Sequence, residues 1–67
     1  MHSAVLSKSP RLLRVLRVLN NGRKRTTRQI MRLAHVCAVN SCVSELRDNG
    51  IIVNCERKGA KWFYWMP

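Results

Sequence analysis

The residues with the chemistry to bind a metal or catalyse a reaction are few: His2, His35, Cys37, Cys42, Cys55, Glu45, Asp48 and Glu56. Four of them run as H-x-C-x₄-C-x₁₂-C from His35 to Cys55, which is no established zinc spacing. On a helix, Cys37 and Cys42 would lie about 140° apart, too far round to share an ion. Cys42 and Cys55 read instead as small buried hydrophobes. Cys37 near His35 lacks the third group that a nucleophilic pair needs. With three carboxylates and no phosphate-cradling glycine loop, no catalysis, metal, cofactor or small-molecule ligand is expected.

The chemistry this chain does favour is recognition of a polyanion. Thirteen Lys and Arg against three Asp and Glu give a net charge of +10 and a pI near 11.2. Residues 1–44 hold no acidic residue, and nine of the thirteen cations lie between Lys8 and Arg32. One-signed charge at this density repels itself, so it implies an external partner. Nucleic acid comes first and an anionic membrane surface second. Arg23, Lys24, Arg25, Arg28, Arg32 and Arg47 are candidates for phosphate contact, with Thr27 adding a hydroxyl at a helix start. A second group, Cys37, Ala38, Asn40, Ser41 and Ser44, is small and mostly polar. Asn can pair with adenine, Ser with either base type, and Ala can touch a thymine methyl. No Arg stands in the first two turns of this stretch, so A·T-leaning or modest base readout is expected.

The elements that would position these groups are legible in order. Met1–Lys8 has no pattern and reads as a flexible N-terminal segment; residues 9–67 form one domain. Ser9-Pro10 is a helix start, with Leu12, Leu13, Val15, Leu16, Val18 and Leu19 as a broad apolar face and Asn20-Asn21-Gly22 as the stop. Arg14, on the other side of that helix, reads as solvated. Thr26 and Gln29 have capping-box spacing, so a second helix runs from Thr27 to about Ala34 with Ile30, Leu33 and Ala34 inward. A tight turn leads into a third helix, Val36–Asn49. Val36, Val39, Val43 and Leu46 form its apolar stripe, and Asn49-Gly50 ends it.

After Gly50 the period changes to two. Ile51–Cys55 and Lys61–Met66 read as strands joined at Arg57–Ala60, a hairpin whose tip carries Arg57, Lys58 and Lys61. Alternation buries either Trp62, Tyr64 and Met66 or Phe63 and Trp65, not both sets. The expected class is therefore α+β, three helices followed by a two-stranded β-hairpin. At 67 residues the core is small. No apolar run approaches a membrane span or a signal peptide, and three irregular cysteines form no disulfide framework. A reducing, cytosolic setting is expected.

The chain resembles the winged helix-turn-helix domains of small phage and prophage regulators. The resemblance rests on T-x-x-Q-I at Thr26–Ile30, V-x-x-x-V-x-x-L-R-x-x-G at Val39–Gly50, I-x-V-x-C at Ile51–Cys55, and Y-x-M at Tyr64–Met66. It covers about residues 10–66. It implies sequence-specific binding of double-stranded DNA by a transcription regulator or repressor in a bacterial or phage-infected host cytoplasm. The helix at 36–49 would enter the major groove, the hairpin would act as a wing on phosphates or the minor groove, and Tyr64 and Met66 would be the inward pair. An excisionase-like architectural protein, binding adjacent sites side by side, is the alternative within DNA binding. From another class, a protein-interaction module would inhibit a host enzyme through its Trp-rich strand. Asn40 and Trp62 also match winged domains that bind left-handed DNA, but Ser44 stands where those have tyrosine and the hairpin lacks their prolines. With the chain ending at Pro67, no long C-terminal dimerisation helix is expected. A homodimer or a cooperative assembly on DNA would have to use the first helix, the N-terminal segment or the aromatic hairpin.

Overall fold

The computed structural model describes residues 9–67; the flexible segment expected over 1–8 lies outside them. Three helices pack against one another and, mainly through α2, against a small antiparallel sheet, in the order α1 (Pro10–Leu19), β1 (Arg25–Thr26), α2 (Thr27–Ala34), α3 (Val39–Asp48), β2 (Asn54–Lys58) and β3 (Lys61–Trp65). The sheet has three strands, in the order β1-β3-β2, where a two-stranded hairpin was expected. The extra strand is the two residues before α2. Arg25 pairs with Tyr64 and Thr26 with Phe63. A two-residue strand carries too little alternation to be seen in sequence.

Local chemistry sets each boundary. The Ser9 hydroxyl accepts from the Leu12 N–H at 3.3 Å, and Pro10 fills the first helical position of α1. Thr26 and Gln29 form the reciprocal capping box that opens α2, with bonds of 3.0 and 3.1 Å. α2 stops at His35, whose φ of 54° is left-handed and whose N–H reaches back to the Met31 carbonyl. The third helix begins at Val39, three residues later than expected, because residues 35–38 make the turn and the Val36 N–H also bonds Met31 O. Its end is a Schellman motif. The Ile51 N–H bonds Leu46 O, the Gly50 N–H bonds Arg47 O, and Gly50 supplies a φ of 85°.

That motif explains why β2 starts at Asn54 and not at Ile51. Ile51 is used in the cap, Ile52 is 67% exposed, and Val53 enters the core before the ladder begins. β2 then runs to Lys58, which pairs with Lys61. The turn is thus only Gly59-Ala60, with Gly59 at φ 60° as a type II′ hairpin requires at its first position.

The core joins Leu12, Val15 and Leu19 of α1, Ile30 and Ala34 of α2, and Val39, Cys42, Val43 and Leu46 of α3 to Val36, Val53 and Tyr64. The stripe expected on α3 is wholly buried. Leu33 is not: it stays 49% exposed, because the eight-residue α2 buries only the Ile30–Ala34 seam and Leu33 falls beside it. Leu13, counted on the apolar face of α1, is likewise 39% exposed. Cys55 is exposed as well, contrary to expectation. It lies on the edge strand, where the Arg47 guanidinium comes within 3.8 Å in place of an apolar neighbour. No described helix is long and apolar enough to cross a membrane.

Candidate nucleic-acid interface

α3 presents two chemically different sides. Val39, Cys42, Val43 and Leu46 are buried, while Asn40, Ser41 and Ser44 are exposed. Cys37 and Ala38 are also exposed, but they belong to the turn before the helix. Asn40 is not a free surface amide. The Tyr64 hydroxyl donates to its Oδ1 at 2.9 Å, tying the first turn of α3 to the central strand. One carbonyl lone pair is thereby used and the side chain oriented. The Nδ2 amide remains as a donor and the second carbonyl lone pair as an acceptor, so the side chain is oriented without losing either hydrogen-bonding function.

The basic residues divide into two sets. In the first, the charge serves the fold. Arg11 pairs with Glu45 at 2.6 Å, joining α1 to α3. Arg14 is not merely solvated: its Nε donates to the Ala34 carbonyl at 2.7 Å, one of the orphan acceptors at the end of α2. Arg47 donates Nε and a terminal nitrogen to the Val53 carbonyl at 3.2 and 2.6 Å, holding the connection from α3 to β2. The Lys24 ammonium lies 4.6 Å from the centre of the Trp65 ring and 3.7 Å from Glu56. Arg25 is half-buried in β1, and its Nε is buried with no hydrogen-bond partner. Arg57 bonds Gly59 O at 3.0 Å, bracing the hairpin turn.

The second set is open. Arg17, Arg23, Arg28, Arg32, Lys58 and Lys61 are exposed and have no side-chain partner among the described residues. Arg28 and Arg32 sit one turn apart on α2, while Lys58 and Lys61 face each other across the hairpin end. Of the expected phosphate contacts, Arg23, Arg28 and Arg32 have no side-chain partner among the described residues, Lys24 and Arg47 make internal contacts while remaining exposed, and Arg25 is half-buried with its Nε unpaired. Sequence could not make that division, because the Trp65 ring, the Glu56 carboxylate and the Val53 carbonyl are brought to Lys24 and Arg47 only by tertiary folding.

Two grooves flank the start of α2. The larger, about 550 Å³, is lined by Thr26, Thr27, Arg28, Met31, Ala60, Lys61 and Trp62. The smaller, about 240 Å³, is lined by Thr26, Arg28, Gln29, Arg32 and Leu33. Trp62 shares the inward face of β3 with Tyr64 but is 43% exposed, because it lies past the edge of the core. Phe63 and Trp65 on the opposite face are half-buried, as is Met66 at the strand end. The groove around Trp62 and Met31 has no signal in the sequence beyond the apolar types themselves.

Among the described residues no group of three His, Cys, Asp or Glu is placed to hold a metal ion. Burial pushes the Cys42 thiol above its ordinary range, with Arg11 partly opposing it. Comparison with family models, with curated proteins and with solved structures finds no match to this chain.

Proposed function

We propose that this chain is a winged helix-turn-helix domain that binds double-stranded DNA, with α3 in the major groove and the β2–β3 hairpin as its wing. One observation carries the reading. Four of the six exposed cations without a side-chain partner among the described residues stand on α2 (Arg28, Arg32) and at the hairpin end (Lys58, Lys61), and the first two turns of α3 expose small polar side chains. Charge on the flanking elements suits phosphate contact, and small polar side chains on the helix suit entry into a groove. The added strand β1 is compatible with a winged domain, since it only extends the sheet behind the hairpin.

In this reading Asn40, Ser41 and Ser44 touch base edges, with Cys37 and Ala38 at the helix approach. Arg23, Arg28 and Arg32 contact phosphates beside the groove, and Lys58, Lys61 and the remaining nitrogens of Arg57 serve the wing. A phage- or prophage-type transcription regulator fits this layout, acting from the cytoplasm. Selection of bound duplexes from a random pool, followed by footprinting, tests it. An isolated palindromic site supports a regulator, and a cooperative footprint over adjacent sites supports an excisionase-like protein. Absence of any duplex shift at low salt, together with salt-insensitive capture of a protein, would instead select the interaction-module reading.

A further inference from the structure

We propose that the larger groove accepts one unpaired nucleotide, its base stacked on Trp62 and its phosphate held by Arg28 and Lys61. The inference rests on the nucleic-acid reading above and adds a ligand class that α3 itself does not supply.

The groove exists because two segments of the chain diverge, β3 and the run from β1 into α2. β1 follows β3 in register through Thr26↔Phe63, and the next residue, Thr27, begins a helix instead of pairing with Trp62. The chain leaves the sheet there, and the flank of Trp62 stays uncovered while β2 still pairs with it on the other side through Arg57. The indole is thus carried by the central strand but 43% exposed. Met31, 40% exposed, supplies a second apolar surface. Thr27 offers a hydroxyl, and Arg28 and Lys61 supply two positive charges with no carboxylate among the lining residues.

Those groups match the parts of a nucleotide: a flat aromatic face, a polar edge and an anionic phosphate. A volume of about 550 Å³ falls within the range that encloses small organic ligands. Single-strand binding proteins combine the same elements, an aromatic platform beside a cationic track. A base inside a duplex is stacked on both faces and cannot use the indole. The occupant must therefore be unpaired, as in a single-strand overhang, a bulge or an extruded base.

The test uses the whole chain in a Trp65→Phe background, where Trp62 is the sole indole. Labelled DNA reports binding by anisotropy, and Trp62 emission reports stacking. The probes are a blunt duplex and the same duplex with a three-thymidine 3′ overhang. The expected result is tighter binding of the overhang duplex, with saturable quenching of Trp62 seen only with it. Trp62→Leu should then weaken overhang binding by roughly tenfold and blunt binding by less than about twofold, in line with the loss of one stacked base. Trp62→Phe, which keeps a ring, should retain most of the overhang preference. Binding of both duplexes with equal affinity and no quenching overturns the proposal and leaves duplex recognition standing. Equal losses on both probes in Trp62→Leu and Trp62→Phe overturn it too, by giving Trp62 a structural role. Failure to bind either probe removes the nucleic-acid reading and this inference with it.

Discussion

Tyr64 has two duties in a single side chain: its ring closes the core, and its hydroxyl holds Asn40 Oδ1. The two can be separated by Tyr64→Phe, which keeps the ring. Net hydrogen-bond values put the stability cost at about 1 kcal/mol, readable in urea unfolding. With its anchor gone, Asn40 would rotate freely, so affinity for a selected duplex should fall several-fold while affinity for a scrambled duplex stays level. An Asn40→Ala, Ser41→Ala double variant should show the same pattern more strongly. Equal losses on both duplexes would reduce Asn40 to a general contact. Cys42 offers an independent check at this scale. Cys37 and Cys55 are exposed and Cys42 is buried, so thiol titration should find two reactive groups in the native protein and three in denaturant. The folded Cys42 thiol also holds its proton more tightly than the unfolded one. Stability is thus unaffected at neutral pH and declines as pH climbs through the ordinary thiol range toward the raised folded value.

At the scale of elements, α2 is short and is defined by its ends. Thr26→Ala deletes the capping box and should lower stability by about 1 kcal/mol. At the other end, His35 holds a left-handed φ of 54°, a conformation that costs an L-residue about 1 kcal/mol. His35→Gly should therefore raise stability by a few tenths to about 1 kcal/mol in chemical denaturation, and a loss would mean that the imidazole makes a contact of its own. Such ends were readable in sequence because capping acts over three or four residues. The Thr26/Gln29 pair, Ser9-Pro10 and Asn49-Gly50 each declared a boundary that the structure keeps. What tertiary neighbours decide was not readable. β1 exists only because β3 lies beside it, and β2 slips to Asn54 because Gly50 and Ile51 close the α3 cap. Arg47 looks like any surface arginine until the Val53 carbonyl arrives under it. The polar side of α3 was legible from its 3.6-residue period, whereas the tie from Asn40 to Tyr64 spans 24 residues and left no local trace.

For the molecule as a whole, charge acts in opposite senses on binding and on folding, and salt distinguishes them. About six phosphate contacts, a number matched by Arg23, Arg28, Arg32, Arg57, Lys58 and Lys61, give an expected slope near −5 for log K against log salt. A slope shallower than about −2 would contradict the electrostatic part of the reading. Folding should respond the other way. The Arg11–Glu45 and Lys24–Glu56 pairs lose strength as salt screens them, but partly exposed pairs contribute at most about 1 kcal/mol each. Against them stand the twelve Lys and Arg, offset by three Asp and Glu, of residues 9–67, in a body with a radius of gyration of 11.0 Å. Repulsion among so many like charges in so small a body is substantial at low salt, where the Debye length is long, and shrinks as salt is added. Repulsion among the many cations is expected to outweigh attraction within the Arg11–Glu45 and Lys24–Glu56 pairs. The free protein should therefore melt higher in 0.5 M sodium chloride than in 0.02 M (concentrations on the order of those that bracket full screening). A net gain on the order of 1 kcal/mol corresponds to about 4–8 °C for a domain of this size. A lower melting point at high salt would mean that internal ion pairing dominates the charge contribution to the fold, and that its positive charge is better compensated within the chain than the exposed arginines and lysines suggest.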